Sequence, residues 1–177
     1  MKILNIKGQA MKKIGMFYGS DGGYTEDVCK RLSSYFEDDK VDLFNIYGTS
    51  IDTLASYEYL ILASSTWHDG HFQDDWNDFI DKLDEIDFSD KTIALLSLGD
   101  QDGYGYTFCD ALGLFYEKVK AGKVIGKTST EGYDFEESIA VVDDEFLGLC
   151  IDEDIQDDLT DERLKNWYEN IKGEFQD

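Results

Sequence analysis

Two short runs, YLILA at 59–63 and IALLSL at 93–98, are apolar at nearly every position. A strand with one wet face alternates apolar and polar residues; a strand without alternation must be covered on both faces. Central strands of a parallel sheet, with helices above and below, meet that demand. Strand-like runs are expected at 14–18, 41–46, 59–63 and 92–98, with amphipathic helical periodicity between them. Val28, Leu32, Tyr35 and Phe36 share one helix face; Trp76, Phe79, Ile80 and Leu83 share another. Phe108, Ala111, Leu112, Phe115 and Val119 repeat the pattern, as do Leu164, Trp167, Tyr168, Ile171 and Phe175. All of these read as packing residues.

The expected fold is therefore α/β: a three-layer sandwich built on a five-stranded parallel sheet with helices on both faces. Its fifth strand is interrupted. Both 123–127 and 146–151 read as strand, and the polar stretch TSTEGYDFEESIAVVDDE lies between them, a long loop that is functional or an insertion. Residues 1–10 are expected to be an extension without a role in the fold, and 11–177 the domain.

The chain of 177 residues carries 39 Asp and Glu against 16 Lys and Arg, a formal charge of −23. That surface repels nucleic-acid phosphates and anionic lipid, and it draws basic protein faces. No apolar run approaches the roughly 20 residues of a membrane-spanning helix. Cys29, Cys109 and Cys150 are an odd number without a CxxC pair, which points to a reducing cytoplasm rather than a disulfide framework. His68 and His71 lack a third ligand at fixed spacing, so a zinc site is not indicated. Both histidines fall in one loop, which leaves little for triad chemistry. Asp100–Gly103 and Asp152–Asp158 miss the spacing of a calcium loop and read as solvated acidic surface with a possible docking role.

Ligands of an open parallel sheet bind beyond the carboxyl ends of its strands, so three loops carry the functional reading. The first, Gly19-Ser20-Asp21-Gly22-Gly23-Tyr24-Thr25, enters a helix beginning near Thr25. Its glycines let backbone N–H groups turn toward an anion, and the helix N-terminus adds partial positive charge. The loop lacks the lysine of a Walker A motif and the spacing of a dinucleotide fingerprint. It suits a phosphomonoester held by backbone and hydroxyl donors. The second, Ser64-Ser65-Thr66-Trp67-His68-Asp69-Gly70-His71, places a tryptophan where no packing periodicity explains it. The third, Gly99-Asp100-Gln101-Asp102-Gly103-Tyr104-Gly105-Tyr106, offers Tyr104 as an opposing aromatic wall. A phosphate cradle and two aromatic walls at one sheet edge describe a mononucleotide with a flat ring.

These segments resemble those of the flavodoxins. FYGSDGGYTE is similar to that family's phosphate-binding segment, STWHDGHFQDDW to its first flavin-flanking loop, and LGDQDGYGYTFCDA to its second. STEGYDFEES and LCIDEDIQDDLTDERLKNW resemble the remainder of a long-chain member. The resemblance implies a flavodoxin-like fold and non-covalent FMN, with Ser20 through Thr25 on the phosphate. Ser65, Thr66, Trp67, His68, Asp69 and Gly70 would line one side of the flavin. Leu98, Gly99, Asp100 and Tyr104 would cover the other, with Phe108, Cys109 and Asp110 near the ring and ribitol. Three departures stand out: Ser65 replaces a frequent proline, His68 a small or amide residue, and Gly22 a hydroxyl residue. His68 is either a group whose charge tunes the flavin or an exposed loop histidine; Cys109 is either a redox thiol or an inert core residue.

The implied function is low-potential one-electron transfer by an acidic, monomeric cytoplasmic carrier, not a stand-alone catalyst. The implied partners present basic docking faces: a ferredoxin/flavodoxin–NADP reductase, pyruvate or other 2-oxoacid oxidoreductases, and reductive or radical enzymes. A flavodoxin-like NAD(P)H-dependent reductase and a flavin-free interaction module are the rival readings.

Overall fold

The computed structural model describes residues 12–176, so the expected extension at 1–10 lies outside the described residues. The elements run β1 (Ile14–Gly19), α1 (Tyr24–Ser33), β2 (Val41–Asn45), α2 (Ile51–Ala55), β3 (Tyr59–Trp67), β4 (His71–Phe72) and α3 (Asp74–Phe79). They continue through β5 (Thr92–Leu98), α4 (Ala111–Val119), β6 (Lys123–Ile125), β7 (Thr128–Ser129), β8 (Val141–Val142), β9 (Glu145–Phe146), β10 (Leu149–Ile151) and α5 (Thr160–Ile171). The main sheet has the order β10-β5-β3-β1-β2, with every pair on that path parallel.

Successive side chains of a strand point to opposite faces, and the apolar runs use both. Leu60 and Leu62 of β3 join Ile93 and Leu95 of β5 in one core, capped by Trp76 and Phe79 of α3 and by Leu112, Phe115 and Val119 of α4. Tyr59, Ile61 and Ala63 join Ala94 and Leu96 in the other, capped by Val28 and Leu32 of α1 and by Leu164, Trp167 and Ile171 of α5. The absence of alternation in YLILA and IALLSL thus has its expected cause.

The fifth strand is split as expected, and both halves lie along β5. Thr92–Ala94 pairs with β6 and Leu96–Leu98 with β10, each in parallel. The intervening segment 126–148 forms its own antiparallel sheet in the order β7-β9-β8. The two halves are shorter than the 123–127 and 146–151 expected.

Other boundaries shift for local reasons. β3 runs four residues past Ala63, because Thr66 and Trp67 pair with Phe72 and His71 of β4 in a hairpin. β2 stops at Asn45, one residue short of expectation. α1 ends at Ser33, so Tyr35 and Phe36 pack from the following turn, against the Tyr168 ring at centroid distances of 5.7 and 4.9 Å. The face from Trp76 to Leu83 is not one α-helix: it tightens into a 3₁₀-helix at Ile80–Glu85. Phe108 precedes α4 rather than lying on it.

Trp76 fixes the front core. Fully buried, it donates its indole N–H to the Ala63 carbonyl at 2.8 Å and meets Phe115 edge-on at 4.8 Å. Replacing it with Phe deletes that bond and leaves a void. Trp76→Phe is expected to lower unfolding free energy by about 2–4 kcal/mol, read from urea denaturation of both proteins followed by circular dichroism.

Candidate functional site

The parallel register brings the three loops to one height. Gly19 at the end of β1 pairs with Ser64, and Ser64 and Ser65 pair with Ser97 and Leu98. Ile151 pairs with Leu98 from the other side, and the Gly99 N–H donates to the Ile151 carbonyl at 3.0 Å. Four chain segments therefore leave the sheet side by side.

Between them lies a cleft of about 410 Å³. Ser20, Asp21, Gly22, Tyr24 and Thr25 line it from the loop after β1; Ser65, Thr66 and Trp67 from the end of β3; and Leu98, Gly99, Asp100 and Tyr104 from the loop after β5. Glu153 and Asp154, after β10, complete the lining. Twelve of the residues singled out from sequence thus share one cavity, of the size that small-molecule and cofactor sites have.

At one end of the cleft is the start of α1. Gly23 occupies the cap position with φ of +86°, a left-handed conformation that L side chains rarely adopt, and it supplies no capping side chain. The first bond of the helical ladder runs from Asp27 N–H to the Gly23 carbonyl at 2.9 Å. The N–H groups of Tyr24, Thr25 and Glu26 therefore precede the ladder and carry the partial positive end of the helix dipole. Ser20 Oγ accepts from Gly23 N–H at 3.0 Å, which leaves its own proton to donate outward.

The aromatics Trp67 and Tyr104 line the same cleft. Trp67, half-buried, ends β3; Tyr104, 51% exposed, rises from a loop in which Asp100 Oδ1 accepts from the N–H groups of Asp102 and Gly103 at 3.0 and 2.8 Å. Thr66 turns its hydroxyl to the scaffold, accepting from Ala111 N–H at 3.1 Å and meeting Ser97 Oγ at 3.1 Å.

The remaining candidates sit behind or beside the cleft. His68, Asp69 and Gly70 form the turn of the β3–β4 hairpin, with His68 exposed and edge-on to Trp67 at 6.0 Å. Gly23 contributes backbone geometry. Phe108 is buried against Tyr133, Phe135 and Phe146 at 5.8, 5.3 and 6.0 Å, in the core and not on the cleft wall. Cys109 is buried too, its Sγ 3.6 Å from the Ser97 carbonyl. Burial pushes the Cys29 and Cys150 thiols well above the ordinary range, and a contact with Cys109 raises Cys150 further. Asp110 is buried beneath the hairpin turn. Among the described residues, no group of three or more His, Cys, Asp or Glu is placed to hold a metal, and no helix is long and apolar enough to cross a membrane.

Three polar residues that the sequence did not single out hold the loops. Gln73, fully buried, donates to Asp21 Oδ1 at 3.2 Å and to Asp75 Oδ2 at 2.8 Å, joining the first loop to the hairpin. Arg31 grips Asp161 at 2.7 Å and reaches Glu153 at 3.5 Å. Asp152 corrects the reading of 152–158 as solvated surface: it is completely buried. Its Oδ2 accepts from Gln101 N–H and Gln101 Nε2, each at 2.9 Å, and its Oδ1 from the N–H groups of Asp154 and Ile155 at 3.0 and 3.1 Å. A carboxylate, acceptor-only, is the side chain that four converging donors require. An amide there turns an NH₂ against donors. Asp152→Asn is expected to cost about 2–3 kcal/mol and to speed hydrogen exchange at the Gln101 and Asp154 amides; unchanged exchange would show that Asp152 does not hold these loops.

The family model described as "Flavodoxin" matches residues 16–167. A flavodoxin of Helicobacter pylori is 46% identical over 165 residues, covering 93% of this chain and 99% of its own, and one of Nostoc sp. is 43% identical over 166 residues, covering 93% and 98%. Among solved structures, a Fusobacterium nucleatum flavodoxin bound to flavin mononucleotide superposes with a TM-score of 0.89 at 35% identity, covering 94% of this chain and 100% of that one. With the parallel sheet, the split fifth strand and the loops gathered at one edge, these matches show that the chain belongs to the flavodoxin family.

Proposed function

We propose that this protein carries non-covalent FMN in the cleft and passes electrons singly between larger redox proteins. The observation that carries the reading is the cleft itself. An uncapped helix N-terminus and two partly exposed aromatic rings share it, in a chain of the flavodoxin family. The residues fit the group. Ser20, Gly22, Tyr24 and Thr25 offer hydroxyl and backbone donors to a phosphate; Trp67 and Tyr104 offer faces to a planar ring. Leu98, Gly99 and Asp100 would border the ring, and the 68–70 turn would present its peptide groups to the ring edge.

FMN supplies the redox chemistry when bound; the chain supplies position, exclusion of water and electrostatics. Among the described residues the lining includes the carboxylates Asp21, Asp100, Glu153 and Asp154 and no Lys or Arg. The nearby Arg31 is committed to Asp161 and Asp27 as well as Glu153. Such a field opposes the accumulation of negative charge in the cleft, so the second electron enters at low potential. The same acidity, with Tyr24 and Tyr104 exposed at the mouth, suits the basic faces of a ferredoxin/flavodoxin–NADP reductase, a 2-oxoacid oxidoreductase or a radical enzyme. Three buried free thiols suit a reducing cytoplasm.

The test is titration of the apoprotein with FMN, followed by stepwise reduction. Stoichiometric uptake, two separated one-electron potentials and no unaided NAD(P)H oxidation are expected. No uptake sinks the reading; unaided NAD(P)H turnover makes the protein a reductase.

The carboxylate field has its own test. Partial burial, then Asp100, Asp152 and Glu153, raise the Asp154 pKa above its ordinary value. Asp154 is therefore neutralised as pH falls through that raised value, and the second potential gains a corresponding rise. Asp154→Asn should raise that potential by about 20–60 mV at neutral pH, on the order of 1 kcal/mol for a partly screened charge, and remove that part of the pH dependence. Superimposable profiles for the two proteins would show that Asp154 does not contribute.

A further inference from the structure

Asp110 is an unusual residue to find beneath a loop turn. It is 7% exposed, it stands at the cap position of α4, and it makes no capping bond there. Its Oδ1 instead accepts the Ile139 N–H at 2.9 Å, from the segment inserted between the halves of the fifth strand. Its Oδ2 faces the hairpin: a Cβ built on Gly70 would lie 2.6 Å from that oxygen, closer than real Cβ atoms approach. Gly70 has a φ of +88°. The carboxylate thus fills the space that any other residue at position 70 would need.

The inserted segment grips this region at further points. Ser138 Oγ donates to the Phe108 carbonyl at 2.5 Å, and the N–H groups of Glu136 and Glu137 donate to the Gly105 carbonyl at 2.9 and 3.0 Å. Asp134 N–H donates to Gln101 Oε1 at 2.6 Å. The insertion therefore clamps the loop after β5 along its length, and at Asp110 the clamp reaches across to the β3 hairpin.

We propose that Asp110 is a positioning residue and not a contact to the cofactor: pinned by the insertion through Ile139, its carboxylate supports the 68–70 turn from beneath and fixes that turn beside the cleft. The inference rests on the FMN reading for its redox consequence only; the mechanical part concerns the apoprotein. Asparagine keeps both the shape and the acceptor for Ile139, whereas alanine removes both.

In Asp110→Ala, hydrogen exchange at the amides of residues 69–71 and 139 of the apoprotein should accelerate by about tenfold or more, with Asp110→Asn within about threefold of wild type. The FMN dissociation constant should follow the same ranking, and the separation of the two one-electron potentials should narrow in the alanine variant alone. A double-mutant cycle guards against general destabilisation. Gly70→Ala clashes with the carboxylate and suffers its positive φ; in the Asp110→Ala background only the second penalty remains. Its effect on turn exchange and FMN affinity should then be about fivefold smaller there, a coupling expected only of residues in contact.

Equal effects of Asn and Ala, wild-type turn exchange in Asp110→Ala, or strict additivity with Gly70→Ala would each overturn the proposal. Failure of the wild-type protein to take up FMN would instead sink the carrier reading, and the exchange and coupling measurements on the apoprotein would still decide the role of Asp110.

Discussion

Everything at the candidate site depends on the register of three neighbouring strands. β1, β3 and β5 pair in parallel so that Gly19, Ser64 and Ser97 stand in one row. Parallel strands must be joined by crossovers, so each of these strands releases its loop at the same edge. That row sets the distance from the uncapped start of α1 to the aromatics Trp67 and Tyr104. Burial of both faces makes the register hard to change. A slip of one residue would exchange Leu60 and Leu62 with Ile61 and Ala63 between two separate cores.

The loops that leave this edge would be mobile if only their own turns held them. Buried polar side chains prevent that. Gln73 joins the first loop to the hairpin, Asp152 joins the loop after β5 to the segment after β10, and Asp110 joins the inserted segment to the hairpin turn. Each is a case of a buried polar group whose partners come from distant parts of the chain. An unpaired group in such a place costs more than a paired one contributes, so each tie favours a single arrangement of the loops. The backbone donors of the inserted segment end on the loop that carries Tyr104.

Much of this was legible in the residues. Unbroken apolar runs announced a parallel sheet covered on both faces, and the polar stretch between two strand-like runs announced the split fifth strand. Gly22-Gly23 ahead of a helix and Trp67 in a polar loop marked the cleft. Less legible were features that depend on partners far along the chain. β3 runs past Ala63 because His71 and Phe72 fold back onto it. Asp152 looked like one more carboxylate in an acidic run, and nothing local distinguishes it from Asp157 or Asp158. Phe108 and Cys109 stand next to the loop in sequence but turn inward to the aromatic cluster of the insertion.

By itself the sequence determined the strands of the main sheet, which faces are apolar, which loops carry unusual chemistry and the sign of the chain's own charge. These are properties of local pattern and composition, set by the periodicity of strands and helices. Only the tertiary structure decided which of nineteen candidate residues line the cleft, which acidic side chains are buried acceptors, and which loop braces which. Those outcomes depend on contacts between residues tens of positions apart, such as Asp110 with Ile139 and Gln101 with Asp152, where burial turns an ordinary polar residue into an obligatory hydrogen-bonding partner.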